Sequence, residues 1–123
     1  MPMNDQTTTV GELKKLMRDF VRERAWEKYH QPRNLAASVS VEAAELLEHF
    51  QWLTADEARE RIAGDEAFRT AVGEELADVL MYLMSLANAM DLDVVATVEA
   101  KMARNRLKYP KEKFQGHYER PLE

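Results

Sequence analysis

Residues 32–52, PRNLAASVSVEAAELLEHFQW, carry the pattern that decides the fold. Pro32 suits the first turn of a helix, and the positions after it keep helical spacing without a breaker as far as Trp52. On a wheel of about 100° per residue, Leu35, Val39, Leu46 and Phe50 fall on one arc. Glu42 falls inside that arc rather than opposite it, and Glu45 sits at its edge. Two carboxylates therefore point toward the interior of a helical bundle, where an ionised carboxylate without a partner is costly.

The same pattern recurs further along. Asp65 reads as the cap of a long helix reaching about Met90, with Phe68, Val72, Leu76, Val79, Leu83 and Leu86 on one stripe. Glu75 lies beside Val79 and Leu86, with Asp78 and Tyr82 at the border of the stripe. A single Glu pair at helical spacing is usually solvated surface. Two pairs on separate helices, each within or bordering an apolar stripe, are a different matter. Four converging carboxylates repel one another unless they are protonated or share a cation, and a divalent metal resolves both the burial and the repulsion. Only oxygen donors are offered at Glu42, Glu45, Glu75 and Asp78, which suits Mg²⁺, with Mn²⁺ as a substitute, better than zinc.

Around these two helices the chain predicts three more. Thr9-Val10-Gly11-Glu12 has the form of a capping box, opening a helix from about Val10 to about Tyr29, which His30-Gln31-Pro32 interrupts. Thr54-Ala55-Asp56-Glu57 is a second capping box, opening a short helix that Gly64 ends. A fifth helix runs from about Asp93 to Leu107. Residues 1–8 and 111–123 lack a clear period and read as tails. No β alternation or internal repeat competes, so the expected fold is an all-α bundle of four to five helices in a single domain covering residues 1–123.

Composition narrows the function. With no cysteine, thiol nucleophiles, thiolate metal sites and disulfides are ruled out for this sequence. A net charge of −5 argues against a general nucleic-acid backbone binder, so phosphate handling by this chain calls for a metal. Met1 to Thr9 is polar, and no apolar run approaches the ~18 residues a bilayer requires. Neither a signal peptide nor a membrane span is expected, and the setting is read as cytoplasmic.

Four blocks of the sequence carry a family likeness: His30-Gln31-Pro32-Arg33-Asn34-Leu35; Glu42-Ala43-Ala44-Glu45-Leu46-Leu47-Glu48-His49-Phe50-Gln51-Trp52; Glu74-Glu75-Leu76-Ala77-Asp78-Val79-Leu80-Met81-Tyr82-Leu83; and Lys101-Met102-Ala103-Arg104-Asn105-Arg106-Leu107-Lys108-Tyr109-Pro110. On them the chain resembles the MazG-like all-α nucleoside triphosphate pyrophosphohydrolase superfamily, and within it the dCTP pyrophosphatase branch. The superfamily pattern is Glu-Glu-x-x-Glu followed by Glu-x-x-Asp. Val41 stands where the first Glu would be, a departure the dCTP pyrophosphatase branch shares. The resemblance implies that Glu42, Glu45, Glu75 and Asp78 bind Mg²⁺, the four positions the helical wheel picks out. It also implies that His30, Trp52, Tyr82, Lys101 and Asn105 lie in the nucleotide site, and that the protein is a dimer or a dimer of dimers with the site shared between subunits.

The expected chemistry is hydrolysis of a nucleoside triphosphate, dCTP or a modified dCTP, to monophosphate and pyrophosphate. Glu48, close to the cluster along its helix, is the candidate for assisting the attacking water, as base or as an additional ligand. Two alternatives stay open at this point: a broader or non-cytidine triphosphate hydrolase, and a non-catalytic helical dimerisation module whose carboxylates pair with Arg or Lys. A di-iron bundle is disfavoured, because Glu27-x-x-His30 has no second counterpart. Leu13, Leu16, Met81, Met84 and Met102 are candidates for burial between subunits.

Overall fold

The computed structural model describes residues 2–119, and these are helical with no strand among them. The order is α1 (Val10–Glu23), a short 3₁₀ turn (Glu27–Tyr29), α2 (Pro32–Glu48), α3 (Ala55–Gly64), α4 (Glu66–Ala89), α5 (Val94–Lys108) and α6 (Lys111–Phe114). They group into two compact units, residues 1–91 and 92–123. Met1 and residues 120–123, part of the expected tails, lie outside the described residues.

Local chemistry starts the helices where the sequence places them. The Thr9 hydroxyl accepts from the Glu12 amide at 3.1 Å while the Glu12 carboxylate accepts from the Thr9 amide at 2.6 Å. Thr54 and Glu57 repeat the reciprocal pair at 3.1 and 3.0 Å. Asp65 caps α4 through the Phe68 amide at 3.0 Å, and Asp93 caps α5 through the Ala96 amide at 2.9 Å. Each cap of this kind contributes ~1 kcal/mol by satisfying an otherwise orphaned amide.

Helix ends depart from expectation in two places. α1 stops at Glu23, six residues before Tyr29, because Ala25 turns into the left-handed region (φ 52°). The Ala25 amide then donates to the Arg22 carbonyl and the Trp26 amide to the Val21 carbonyl, both at 3.0 Å. This is a helix-terminating turn that glycine usually serves, and with alanine at its pivot the stop is silent in the sequence. α2 ends at Glu48 rather than Trp52, where the amides of Phe50 and Gln51 both turn back to the Leu47 carbonyl.

In the first unit α2 packs chiefly on α4, and α1 and α3 also rest on α4. Val21, Leu35, Phe68, Met84 and Ala87 are buried. Phe68 anchors one end, with Phe50 edge-on at 5.7 Å, His49 at 6.1 Å and the Arg61 guanidinium 4.1 Å over its face. At the other end Asn88 ties α1 to α4, donating to the Lys14 carbonyl at 2.8 Å and accepting from Arg18 at 3.0 Å. Because α4 contacts three helices, its buried residues do not follow the single expected stripe: Leu76 is 56% and Leu83 39% exposed, while Met84, Ser85 and Ala87 are buried. Met84 is thus part of this chain's own core and not available to a subunit interface.

In the second unit α5 buries none of its side chains, and Val95, Val98 and Met102 are exposed. The stretch expected to be a tail folds instead into the single turn of α6, held by Phe114 edge-on to Tyr109 at 5.2 Å. No single helix among the described residues is long and apolar enough to cross a membrane.

Candidate metal centre

The face α2 lays against α4 carries Glu42, and the matching face of α4 carries Glu75 and Asp78. One carboxylate oxygen from each of these three lies within 4.8 Å of the others. All three side chains are half-buried, and Oε2 of both Glu42 and Glu75 is buried without a hydrogen-bond partner among the described residues. Glu45, one turn after Glu42, stands within hydrogen-bonding reach of both Glu42 and Glu75.

Such crowding raises proton affinity. The hydrogen bond with Glu45 is the main cause that pushes Glu42 from its ordinary 4.5 up to about 7, with desolvation and the charges of Glu45, Asp78 and Glu75 adding to it. Glu75 is also raised, first by desolvation and then by Glu45, while His49 just past the end of α2 works against the shift. Two carboxylates that resist ionisation, each with an orphaned buried oxygen, in an all-oxygen set, are what a hard divalent cation would relieve. The residues present fit such an ion.

Beside the cluster opens a cavity of about 440 Å³ whose wall includes Asp78 itself, together with Phe20, Trp26, His30, Tyr82 and Ser85. Asp78, Tyr82 and Ser85 share one face of α4 at i, i+4 and i+7. His30 is held by a hydrogen bond in which Nδ1 donates to the Trp26 carbonyl at 3.0 Å, since a carbonyl can only accept. In the neutral ring this leaves Nε2 as the acceptor. Trp26 is fixed in turn by an edge-on contact with Phe20 at 5.8 Å.

Of the residues expected in the site, Glu42, Glu45, Glu75 and Asp78 come together in the first unit, and His30 and Tyr82 line the adjoining cavity. Glu48 is exposed at the last position of α2, and Trp52 is 87% exposed in the turn that follows. Lys101 and Asn105 stand one turn apart on α5, in the second unit. Sequence reasoning missed Trp26, Phe20, His49 and Ser85. Trp26 and Phe20 both lie within the helix expected to continue to about Tyr29, whereas the chain turns at Ala25, just before Trp26.

An inter-helix carboxylate cluster beside an aromatic-lined cavity on an all-α scaffold defines the class of protein: a helical fold whose acidic residues could hold a metal ion. More narrowly, the chain belongs to the MazG-like family, whose model matches residues 37–120. It is 41% identical over 102 residues to dCTP pyrophosphatase 1 of Homo sapiens and to that of Rattus norvegicus, an alignment covering 83% of this chain and 59% of either relative. The chain therefore spans about three-fifths of the length of these relatives. It also resembles the crystal structure of a pyrophosphatase from Archaeoglobus fulgidus, with 40% identity, a TM-score of 0.77, and coverage of 89% of this chain and 100% of that one.

Proposed function

We propose that this chain is a Mg²⁺-dependent nucleoside triphosphate pyrophosphohydrolase, acting on dCTP or a modified dCTP to give the monophosphate and pyrophosphate. The observation that carries the reading is that Asp78 belongs at once to the carboxylate cluster and to the wall of the apolar, aromatic cavity. A ligand with a flat apolar end and a polyanionic end fits that junction. The relatives named dCTP pyrophosphatase 1 and the archaeal pyrophosphatase support the same chemistry.

Glu42, Glu45, Glu75 and Asp78 would hold the ion. Bound there, Mg²⁺ would supply neutralisation of the triphosphate charge and acidification of water for in-line attack on the α-phosphorus. The chain's own residues do the rest. Trp26, Phe20 and Tyr82 offer ring surface to the base and exclude water from it. His30 Nε2, as acceptor, favours a base that presents an exocyclic amine, which cytosine has and uracil and thymine lack. Glu48, exposed one turn beyond Glu45, is assigned to assist the attacking water, as base or as an additional ligand. Lys101 and Asn105, taken from their motif, are assigned to the triphosphate oxygens.

Leu16, Phe20, Leu47, Leu76 and Met81 are all exposed on one chain, more apolar surface than a small monomer usually leaves in water. This supports a homodimer or a dimer of dimers. Trp52, 87% exposed, is then a ring for the base in a site that a second copy completes. A nucleotide substrate suits a cytoplasmic setting. The test is a panel of canonical and modified NTPs and dNTPs with Mg²⁺, the products resolved by anion exchange. Release of pyrophosphate fastest from dCTP-type substrates is expected, and no hydrolysis of any member would overturn the reading.

A further inference from the structure

We infer that Ser85 is the specificity-determining residue of the cavity, its hydroxyl hydrogen-bonding the polar edge of the base; the inference rests on the function proposed above. Ser85 is 5% exposed, and its Oγ is buried with no hydrogen-bond partner among the described residues. A serine inside a helix ordinarily returns its hydroxyl to the carbonyl four residues back, as Ser40 does to Ala36 at 3.2 Å. Ser85 makes no such bond. Leaving a buried hydroxyl unpaired is unfavourable, and alanine would fill the same space between helices without that cost. Packing explains a small residue at this position and does not explain the oxygen.

Its position supplies the reason. Ser85 lies two turns beyond Asp78 on one face of α4, ~10 Å along the axis, with Tyr82 between them. That spacing is on the scale of a nucleoside monophosphate, so a phosphate at the Asp78 end brings the base past Tyr82 to Ser85. Ser85 also stands on the seam between two cavities. On one side is the apolar pocket of about 440 Å³; on the other is a smaller one of about 270 Å³ walled by Arg18, Arg22 and Asn88. His30 lines both. The acceptor of His30 and the hydroxyl of Ser85, which donates or accepts, form a two-point polar reader in a mostly apolar wall, matched to an amino-bearing pyrimidine.

The experiment measures kcat and KM for wild type, Ser85→Ala and Ser85→Cys on dCTP, 5-methyl-dCTP, dUTP and dTTP, with a thermal melt of each protein. Cysteine keeps the shape and is a weak hydrogen bonder. Both variants are expected to hydrolyse dCTP with a KM raised about tenfold and a kcat within twofold, and to lose a similar factor of discrimination against dUTP. Ser85→Ala is expected to melt at or above the wild-type temperature. Wild-type turnover with an unchanged base profile in both variants overturns this inference alone, as does a loss shared equally by all four bases. A wild-type chain that hydrolyses none of the four overturns the proposed function, and this inference with it.

Discussion

Glu42 on α2 and Glu75 on α4 face each other across the most extensive helix pairing among the described residues, and each buries one carboxylate oxygen that nothing among them satisfies. Glu45 lies within hydrogen-bonding reach of both. Without a cation these carboxylates repel one another, and the predictions for activity and pH behaviour rest on how that repulsion is relieved.

Glu42→Gln and Asp78→Asn each remove one charge at nearly constant volume. Turnover at saturating Mg²⁺ is expected to fall at least ~100-fold, since even the outer partners of metal ligands cost 10–100-fold when mutated. Circular dichroism should show an intact helical fold and, in EDTA, a melting temperature no lower than wild type, because the crowded cluster loses a repulsive member. Near-wild-type turnover in both variants removes these residues from the site.

The metal-free protein should lose stability as pH rises. Glu42 binds its proton more tightly folded, at about 7, than at its ordinary 4.5, so between those values the folded state holds more protons than the unfolded one. Stability is then greatest at the acid side of this window and declines toward about pH 7, with Glu75 acting in the same direction. Asp19, Glu57 and Asp65 are lowered instead and act in the opposite sense only at more acid pH. Melts in EDTA across this window should show the decline, and Mg²⁺ or Glu42→Gln should flatten it. A melting temperature that rises from pH 5 to 7 in EDTA contradicts the crowding described here.

The two tryptophans separate binding from stability. Trp52→Ala removes a ring that is 87% exposed, so the melting temperature should stay put while KM for the preferred nucleotide rises roughly tenfold to a hundredfold, the ~1–3 kcal/mol of one aromatic stack. Trp26→Ala removes a ring packed on Phe20 and should also cost about 1–2 kcal/mol of stability. If KM is unchanged for every base in Trp52→Ala, that residue is only a helix-end side chain.

Asn88 is expected to matter to the fold and not to the chemistry. Its bonds to Lys14 and Arg18 join α1 to α4 across 74 and 70 positions of sequence. Asn88→Ala should lower stability by about 1–3 kcal/mol in denaturant titration, leaving the Lys14 carbonyl without this donor. A midpoint equal to wild type would mean the tie is not formed in solution.

Sedimentation should find an oligomer at micromolar concentration. A stable monomer of 14.2 kDa would leave the exposed Leu47 and Leu76 unexplained and remove the shared-site reading of Trp52.

The helical content, the starts of α1, α3, α4 and α5, and the placing of Glu42, Glu75 and Asp78 toward an interior were legible in the chain itself. Each is set within about one turn: a capping side chain reaches an amide three residues on, and a 100° step assigns every residue a face. The folded arrangement decided what periodicity cannot reach. That α1 stops at Ala25 depends on a left-handed turn without glycine, and that stop carries Trp26 into the cavity. Which edge of α4 is buried depends on three helices competing for its surface, which exposes Leu76, buries Met84 and encloses the hydroxyl of Ser85. The convergence of Glu42, Glu75 and Asp78 within 4.8 Å is likewise a property of the α2–α4 docking register, and no local rule along either helix contains it.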